Sequence, residues 1–318
     1  MQTNSQTLNI EKKPTYIFTI TKQTPRQRLD RFLAQQLTSF SRARIQQWIV
    51  NGYVLLNNEI VKPKDRIQAG DHITVWVQPS PEESAYEPEE IALDCIYEST
   101  QVIVVNKPAG MVVHPGAGHW SGTLLNALLF HFPELKQVER AGIVHRLDKD
   151  TSGLLMIARN PAARTHLVNQ LKARSVLREY RALCQGGLKG TGQINTPILR
   201  DPRVAVRMVA RDVPGARSAR TNYAYLRSGV LHQHPVSELS CSLHTGRTHQ
   251  IRVHLSSINH PILGDGLYGG LTTNETPRQM LHAFHLAFKE PITNKNLAFK
   301  IPPPIDYQQL CGQIVWNS

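Results

Sequence analysis

The residues best suited to chemistry stand together in GIVHRLDKDTSG, Gly142 to Gly153. An apolar pair, Ile143 and Val144, leads into His145, Arg146, Leu147 and Asp148; Lys149, Asp150, Thr151 and Ser152 follow, and an apolar run, LLMIA, resumes after Gly153. Polar groups confined to a short connection between two buried segments are typical of reactive side chains held on a rigid scaffold. Asp148 has Arg146 two positions before it and Lys149 directly after it. Cations this close favour the ionised carboxylate, and a positioned carboxylate can act as nucleophile or base. An isolated Arg-x-Asp, by contrast, is more often a turn aspartate bonding its own backbone.

Two further stretches carry candidate groups. In SCSLHTGRTHQIRVHLSS the spacing predicts a helix from about Thr248 to Ser257. Ile251 and Leu255 should face the core, while His249, Arg252 and Ser256 share another face. His244, His249 and His254 are each five apart, which does not match the i, i+4 pair of a zinc helix, so no metal is expected. In LREYRALC, alternation puts Tyr180, Ala182 and Cys184 on one side of a strand and Arg181 and Leu183 on the other. Taken alone, Tyr180 reads as a half-buried strand aromatic. The glycines around Lys107 and His114 lack phosphate-loop spacing, and no dinucleotide-binding pattern occurs. No cofactor is expected.

The ten residues HRLDKDTSGL resemble the signature of the RNA pseudouridine synthases that act on ribosomal large-subunit RNA, and TGRTHQIRVH resembles a second motif of that family. The resemblance runs from about residue 26 to the end. It implies an isomerase that needs neither cofactor nor metal. Asp148 would be catalytic, either attacking the anomeric carbon or taking the C2′ proton. Arg252 would pair with Asp148 in bidentate geometry. Tyr180 would pack against the target base and is a candidate base for the last proton removal. Arg146 would enter the space left by the flipped uridine or brace it. His145 and Lys107 are expected as further RNA contacts. VHPGAG and AGIVHRLDKDTSGL are most similar to the branch whose targets are uridines in the helix 69 stem-loop of 23S ribosomal RNA, while relatives of the same layout modify other sites. Two rivals remain: a non-catalytic RNA-binding factor in ribosome assembly, and a glycosidase, although glycosidases usually pair two carboxylates.

The elements that must position these groups fit 318 residues, enough for two domains. The formal charge of +12, from 36 Lys plus Arg against 24 Asp plus Glu, biases the protein toward polyanions. No apolar run reaches membrane-spanning length, and the first fifteen residues show no secretion signal, so a cytoplasmic protein is expected, with a monomer as the default. Cys95, Cys184, Cys241 and Cys311 are scattered, which argues against a disulfide framework.

Residues 1–21 read as a flexible lead ending in a possible strand. Residues 22–80 read as two short helices and a small hairpin, with nine Lys or Arg against four acids. RLDRFLA, SRARIQQWI, NGYVLLNN and the Gly-Asp before the closing strand resemble an S-four-type RNA-binding domain. Its phosphate contacts are expected at Arg42 and Arg44, where the second helix starts. From Pro79 to Glu98 there are seven acids and no Lys or Arg, so residues 81–90 read as an extended, solvated linker. Residues 91–318 form the catalytic domain: an α+β fold with a mixed, largely antiparallel sheet flanked by helices. MVV at 111–113 is expected as a short strand, and LHAFHLAFK as a strand near the sheet edge. Arg200, Arg203, Arg207, Arg211, Arg217 and Arg220 either line an RNA groove or sit on solvated loops.

Overall fold

The computed structural model describes residues 13–79, 85–116 and 118–317. Contacts divide the chain into two compact units, Met1–Ser84 and Ala85–Ser318.

In the first unit, β1 (Tyr16–Thr19), α1 (Leu29–Gln36), α2 (Arg42–Val50), β2 (Val54–Leu56), β3 (Glu59–Ile60) and β4 (His72–Val75) follow in order. The strands form an antiparallel sheet ordered β1-β4-β2-β3. Leu29, Phe32 and Leu33 of α1 meet Ile45, Trp48 and Ile49 of α2 in one core. Ser41 caps α2, its Oγ accepting from the Arg44 amide at 3.3 Å. Asn57 and Asn58, both at positive φ, close the tight hairpin. The unit starts earlier than residue 22: β1 pairs along β4 from Tyr16 to Thr19, so the end of the expected flexible lead is sheet. Residues 1–12 of that lead lie outside the described residues.

In the second unit the elements are β5 (Cys95–Glu98), β6 (Val102–Lys107), α3 (Leu124–His131), β7 (Ser152–Ala158), α4 (Pro161–Lys172), β8 (Leu177–Gln185), β9 (Thr191–Ile194), β10 (Ile198–Arg200), β11 (Met208–Ala210), β12 (Thr221–Leu231), β13 (His234–Leu243), α5 (Gln250–Ser257), β14 (Leu281–Lys289), β15 (Asn296–Lys300), α6 (Ile305–Gln313) and β16 (Val315–Trp316). The main sheet runs β16-β12-β13-β8-β14-β7-β6-β5, with β9 on β12 and β15 on β14. All pairings are antiparallel except β14 with β7, which are parallel over His282↔Ser152 and Ala283↔Gly153. Alternate residues of β6 and β7 feed two cores. Ile103, Val105, Leu155 and Ile157 pack with Leu124, Leu125 and Leu128 of α3, while Val102, Val104, Leu154 and Met156 pack with Ala163 and Leu167 of α4. The Thr123–Asn126 capping box starts α3, and Asn160 caps α4 ahead of Pro161. Among the described residues no helix is long and apolar enough to cross a membrane.

Three expectations need correction. Residues 81–84 of the linker lie outside the described residues, but from Ala85 the chain is packed: Asn126 Nδ2 donates to the carbonyls of Ala85 (3.1 Å) and Glu87 (2.8 Å), and the Gly122 amide donates to Glu89. Of the acids there, Glu89 thus serves α3's approach, while Glu87 and Glu90 stay exposed. Residues 111–113 form no strand, because their carbonyls accept from Lys107 and from the start of α3. And β14 is central: β8 and β7 take its two edges, and β15 pairs with its later half. Its alternating pattern suggested an edge, but side-chain periodicity says nothing about how many neighbours a backbone has.

Candidate active site

The loop between the 3-10 turn at Glu139–Gly142 and β7 carries Asp148. Two glycines delimit it. Gly142 (φ +74°) and Gly153 (φ +117°) take backbone conformations unfavourable to other residues, and a Cβ would overlap the Ala158 carbonyl at the first and the Ala283 backbone at the second. Between them the loop is tied from several sides. The Thr151 amide donates to the Asp148 carbonyl at 3.1 Å, closing a turn. Gly110 N donates to Lys149 O at 3.0 Å, Arg278 Nη1 to Asp150 O at 3.0 Å, and Gln279 Nε2 to Thr151 Oγ1 at 3.2 Å. Ser152 Oγ and His282 Nδ1 lie 2.9 Å apart across the parallel pairing.

Asp148 Oδ2 accepts from Arg252 Nη1 at 3.2 Å, across 104 residues of sequence. Arg252 lies on α5, most of which is buried all round rather than on the single apolar face the periodicity suggested. The fork of Arg252 is not turned to Asp148. Its Nε (2.7 Å) and Nη2 (2.9 Å) grip both oxygens of Asp265, whose side chain is fully buried. The bidentate pairing expected with Asp148 is therefore made with Asp265, leaving one donor for Asp148. Burial works against the Arg252 charge, but Asp265 and then Asp148 more than offset it, so its pKa is raised. The Tyr268 ring lies 5.1 Å beneath the guanidinium, adding a cation-π contact. Among the described residues Asp148 Oδ1 accepts no hydrogen bond.

Tyr180, on β8, is 5% exposed and lines the same cleft. Burial pushes its phenol up to about 12, with Arg178 opposing and Asp148 adding. At neutral pH it is a donor and a ring face, so the expectation that it supplies the final base finds no support in the resting site. The cleft holds about 550 Å³. Seven Lys or Arg side chains line it, and Asp148 is the one acid among its lining residues. A carboxylate set into cationic walls suits a nucleotide: the walls attract phosphate, and the acid reaches the sugar or base.

The other expected RNA contacts fall differently. Arg146 is exposed, lines the cleft and makes no hydrogen bond or ion pair among the described residues. His145 also lines it, but its Nε2 accepts from the Met156 amide at 3.1 Å, and burial pushes its pKa down to about 3. It is a neutral anchor of the loop rather than a cation for phosphate. Lys107 is fully buried, donating to the carbonyls of Pro108 (2.8 Å), Met111 (2.9 Å) and Lys149 (2.9 Å), so no RNA reaches it. Burial lowers its pKa to about 7, with Asp150 and Asp148 opposing. Its three bonds pin the loop instead.

In the first unit, Arg42 Nε and Nη2 donate to Asp30 Oδ2 at 3.2 and 3.0 Å, joined there by Arg28 and Gln46. Arg44 Nη2 donates to Gln78 O at 2.8 Å, and its guanidinium stacks on Phe40 and Trp48. Both arginines are thus engaged within the unit, Arg42 with half of its side chain exposed. Asp265, Arg278 and Gln279 were missed from sequence. A lone acid between two glycines, Gly264-Asp265-Gly266, is indistinguishable from a turn residue by pattern.

The family model for RNA pseudouridylate synthase matches residues 101–257, which contain the Asp148 loop, Tyr180 and Arg252, and the S4 domain model matches residues 27–73. The chain belongs to the RNA pseudouridylate synthase family, and is an isomerase of uridine in RNA. Among its relatives is ribosomal large subunit pseudouridine synthase D of Neisseria meningitidis serogroup B, 47% identical over 294 residues, covering 89% of this chain and 77% of the relative. The Escherichia coli K12 protein of the same name is 40% identical over 298 residues, covering 89% of each. Of solved structures, human RNA pseudouridylate synthase domain containing 1 is similar at 29% identity and a TM-score of 0.57, over 76% of this chain and 92% of that one.

Proposed function

We propose that the protein converts uridine to pseudouridine in ribosomal large-subunit RNA, acting as a cytoplasmic monomer on uridines of the helix 69 stem-loop of 23S RNA. The observation that carries the chemistry is the Asp148 carboxylate, held by Arg252 in a cleft whose other charges are all positive. The names of the relatives support a large-subunit RNA target, and the resemblance of the VHPGAG and AGIVHRLDKDTSGL stretches supports the stem-loop.

In this reading the target uridine leaves its stack and enters the cleft, at a cost of a few kcal/mol that is least for a loop base. The exposed guanidinium of Arg146 stacks in the vacated place or braces the extruded nucleotide. Asp148, through Oδ1, attacks the anomeric carbon or takes the C2′ proton, and the bond from C1′ to N1 breaks. The uracil turns on the Tyr180 ring, C1′ bonds to C5, the C5 proton leaves and N1 gains one, so no electrons are exchanged. The test is chemical mapping of pseudouridine in large-subunit RNA transcripts and assembled subunits. Wild type should produce the modification, and Asp148→Ala should lose it by a factor of about a thousand or more while melting like wild type. Absence of new pseudouridine on every ribosomal and transfer RNA tried defeats the reading.

A further inference from the structure

Three arginines of the second unit are equally buried, each 8% exposed: Arg178, Arg252 and Arg278. Arg252 grips Asp265 with a two-pronged fork, and Arg278 grips Asp306 the same way at 2.7 and 3.0 Å. Arg178 has no such partner. Its Nη2 donates to the Leu243 carbonyl at 3.3 Å, its Nε is buried without an acceptor, and no carboxylate contacts it among the described residues. A buried cation left unanswered costs several kcal/mol, and proteins rarely keep one without an anion.

Its surroundings deepen the imbalance. Arg178 lines the cleft together with Arg174, His244 and Arg247. Burial and then Arg220, Arg174 and Arg178 hold His244 toward its neutral form, and burial with Arg217 and Arg174 lowers the pKa of Arg247. Gly246 faces the guanidinium closely, since a Cβ there would stand 3.0 Å from Arg178 Nη1, so the opposing wall is bare backbone. Arg178 also precedes Tyr180 by two on β8, so both side chains leave the same face of the strand. Two strand residues span about 7 Å, the scale of a nucleotide from phosphate to base.

We propose that Arg178 is the seat of one phosphodiester group of the bound RNA, the phosphate adjoining the flipped nucleotide, with Arg174 and Arg247 at its rim. The assignment of the anion to RNA rests on the function proposed above. The substrate itself then completes the pairing that the protein leaves open, and Arg178 acts as a binding residue that sets where along the backbone the extruded base can enter.

A double-mutant cycle tests this, pairing Arg178→Gln with helix 69 stem-loop RNAs in which one phosphate at a time is a neutral methylphosphonate. Affinity and pseudouridine formation are measured separately, with Arg178→Lys as the variant that keeps the charge. Wild type should lose about tenfold in affinity at one phosphate beside the target uridine. Arg178→Gln should show a similar loss on native RNA, no further loss at that phosphate, and a salt slope reduced by about one. Arg178→Lys should recover part of the loss. Additive losses at every phosphate, or no phosphate to which wild type is sensitive, overturn the assignment even if isomerisation proceeds. Coupling at one phosphate without isomerisation upholds the phosphate seat and defeats the proposed reaction. Should Arg178→Gln fail to fold, the phosphate scan on wild type and Arg178→Lys decides, since an insensitive wild type is sufficient to reject it.

Discussion

At the scale of single residues, the site is a chain of charge: Asp148, Arg252, Asp265. The buried end matters most for stability. Removing Asp265 strands a guanidinium in the interior, so Asp265→Ala should cost about 3–5 kcal/mol of stability, seen as a lower denaturation midpoint, and turnover should fall more than tenfold as Arg252 swings free. An Asp265→Ala protein that is as stable and active as wild type contradicts this account. Asp148 and Arg252 were legible because each lies in a long, low-redundancy stretch, whereas Tyr180 was a strand aromatic by its own pattern and gained a role only through the family resemblance; the structure brings all three to one cleft. Asp265 and the burial of Lys107 were not legible. A lysine's type argues for solvent, and only the fold reveals three carbonyls converging on its ammonium.

At the scale of elements, two junctions lend themselves to measurement. Gly153, the second residue of β7, lies at φ +117° against the backbone of Ala283 on β14. A methyl group there must push the two strands apart at their parallel contact, so Gly153→Ala should destabilise by about 2 kcal/mol or more, read from the urea midpoint. It should also lower turnover, since the Asp148 loop hangs from that contact. In the first unit, Asp30 joins α1 to α2. Burial works against its charge, but Arg28, Gln46 and Arg42 win and draw the carboxyl down to about 2 from an ordinary 3.8. An acid depressed on folding stabilises above its ordinary value and ceases to as pH falls through its folded one. Asp30 should therefore contribute about 2 kcal/mol at neutral pH, lost between about pH 4 and pH 2. The stability gap between wild type and Asp30→Asn should shrink over that window, and a gap independent of pH counts against it. The two short helices of the first unit and the helix that carries Arg252 were legible from pattern. The central place of β14 was not, because neighbours in a sheet come from topology rather than from local pattern.

At the scale of the molecule, two units with separate cores divide the labour. Deleting residues 1–80 should weaken binding to large-subunit RNA and flatten its salt dependence, while isomerisation of a small stem-loop at saturating concentration persists; loss of that activity argues that the first unit is needed for more than affinity. Composition announced the polyanionic partner and the boundary near the acidic stretch, though the chain joins the second unit from Ala85. The order of strands has one more consequence. β14, the last long strand in the chain, fills the gap between β8 and β7, both completed far earlier. Pairing strands this far apart in sequence is slow to close, and a chain truncated before Leu281 should form no pseudouridine, because it lacks the strand that joins the Tyr180 side of the sheet to the Gly153 side.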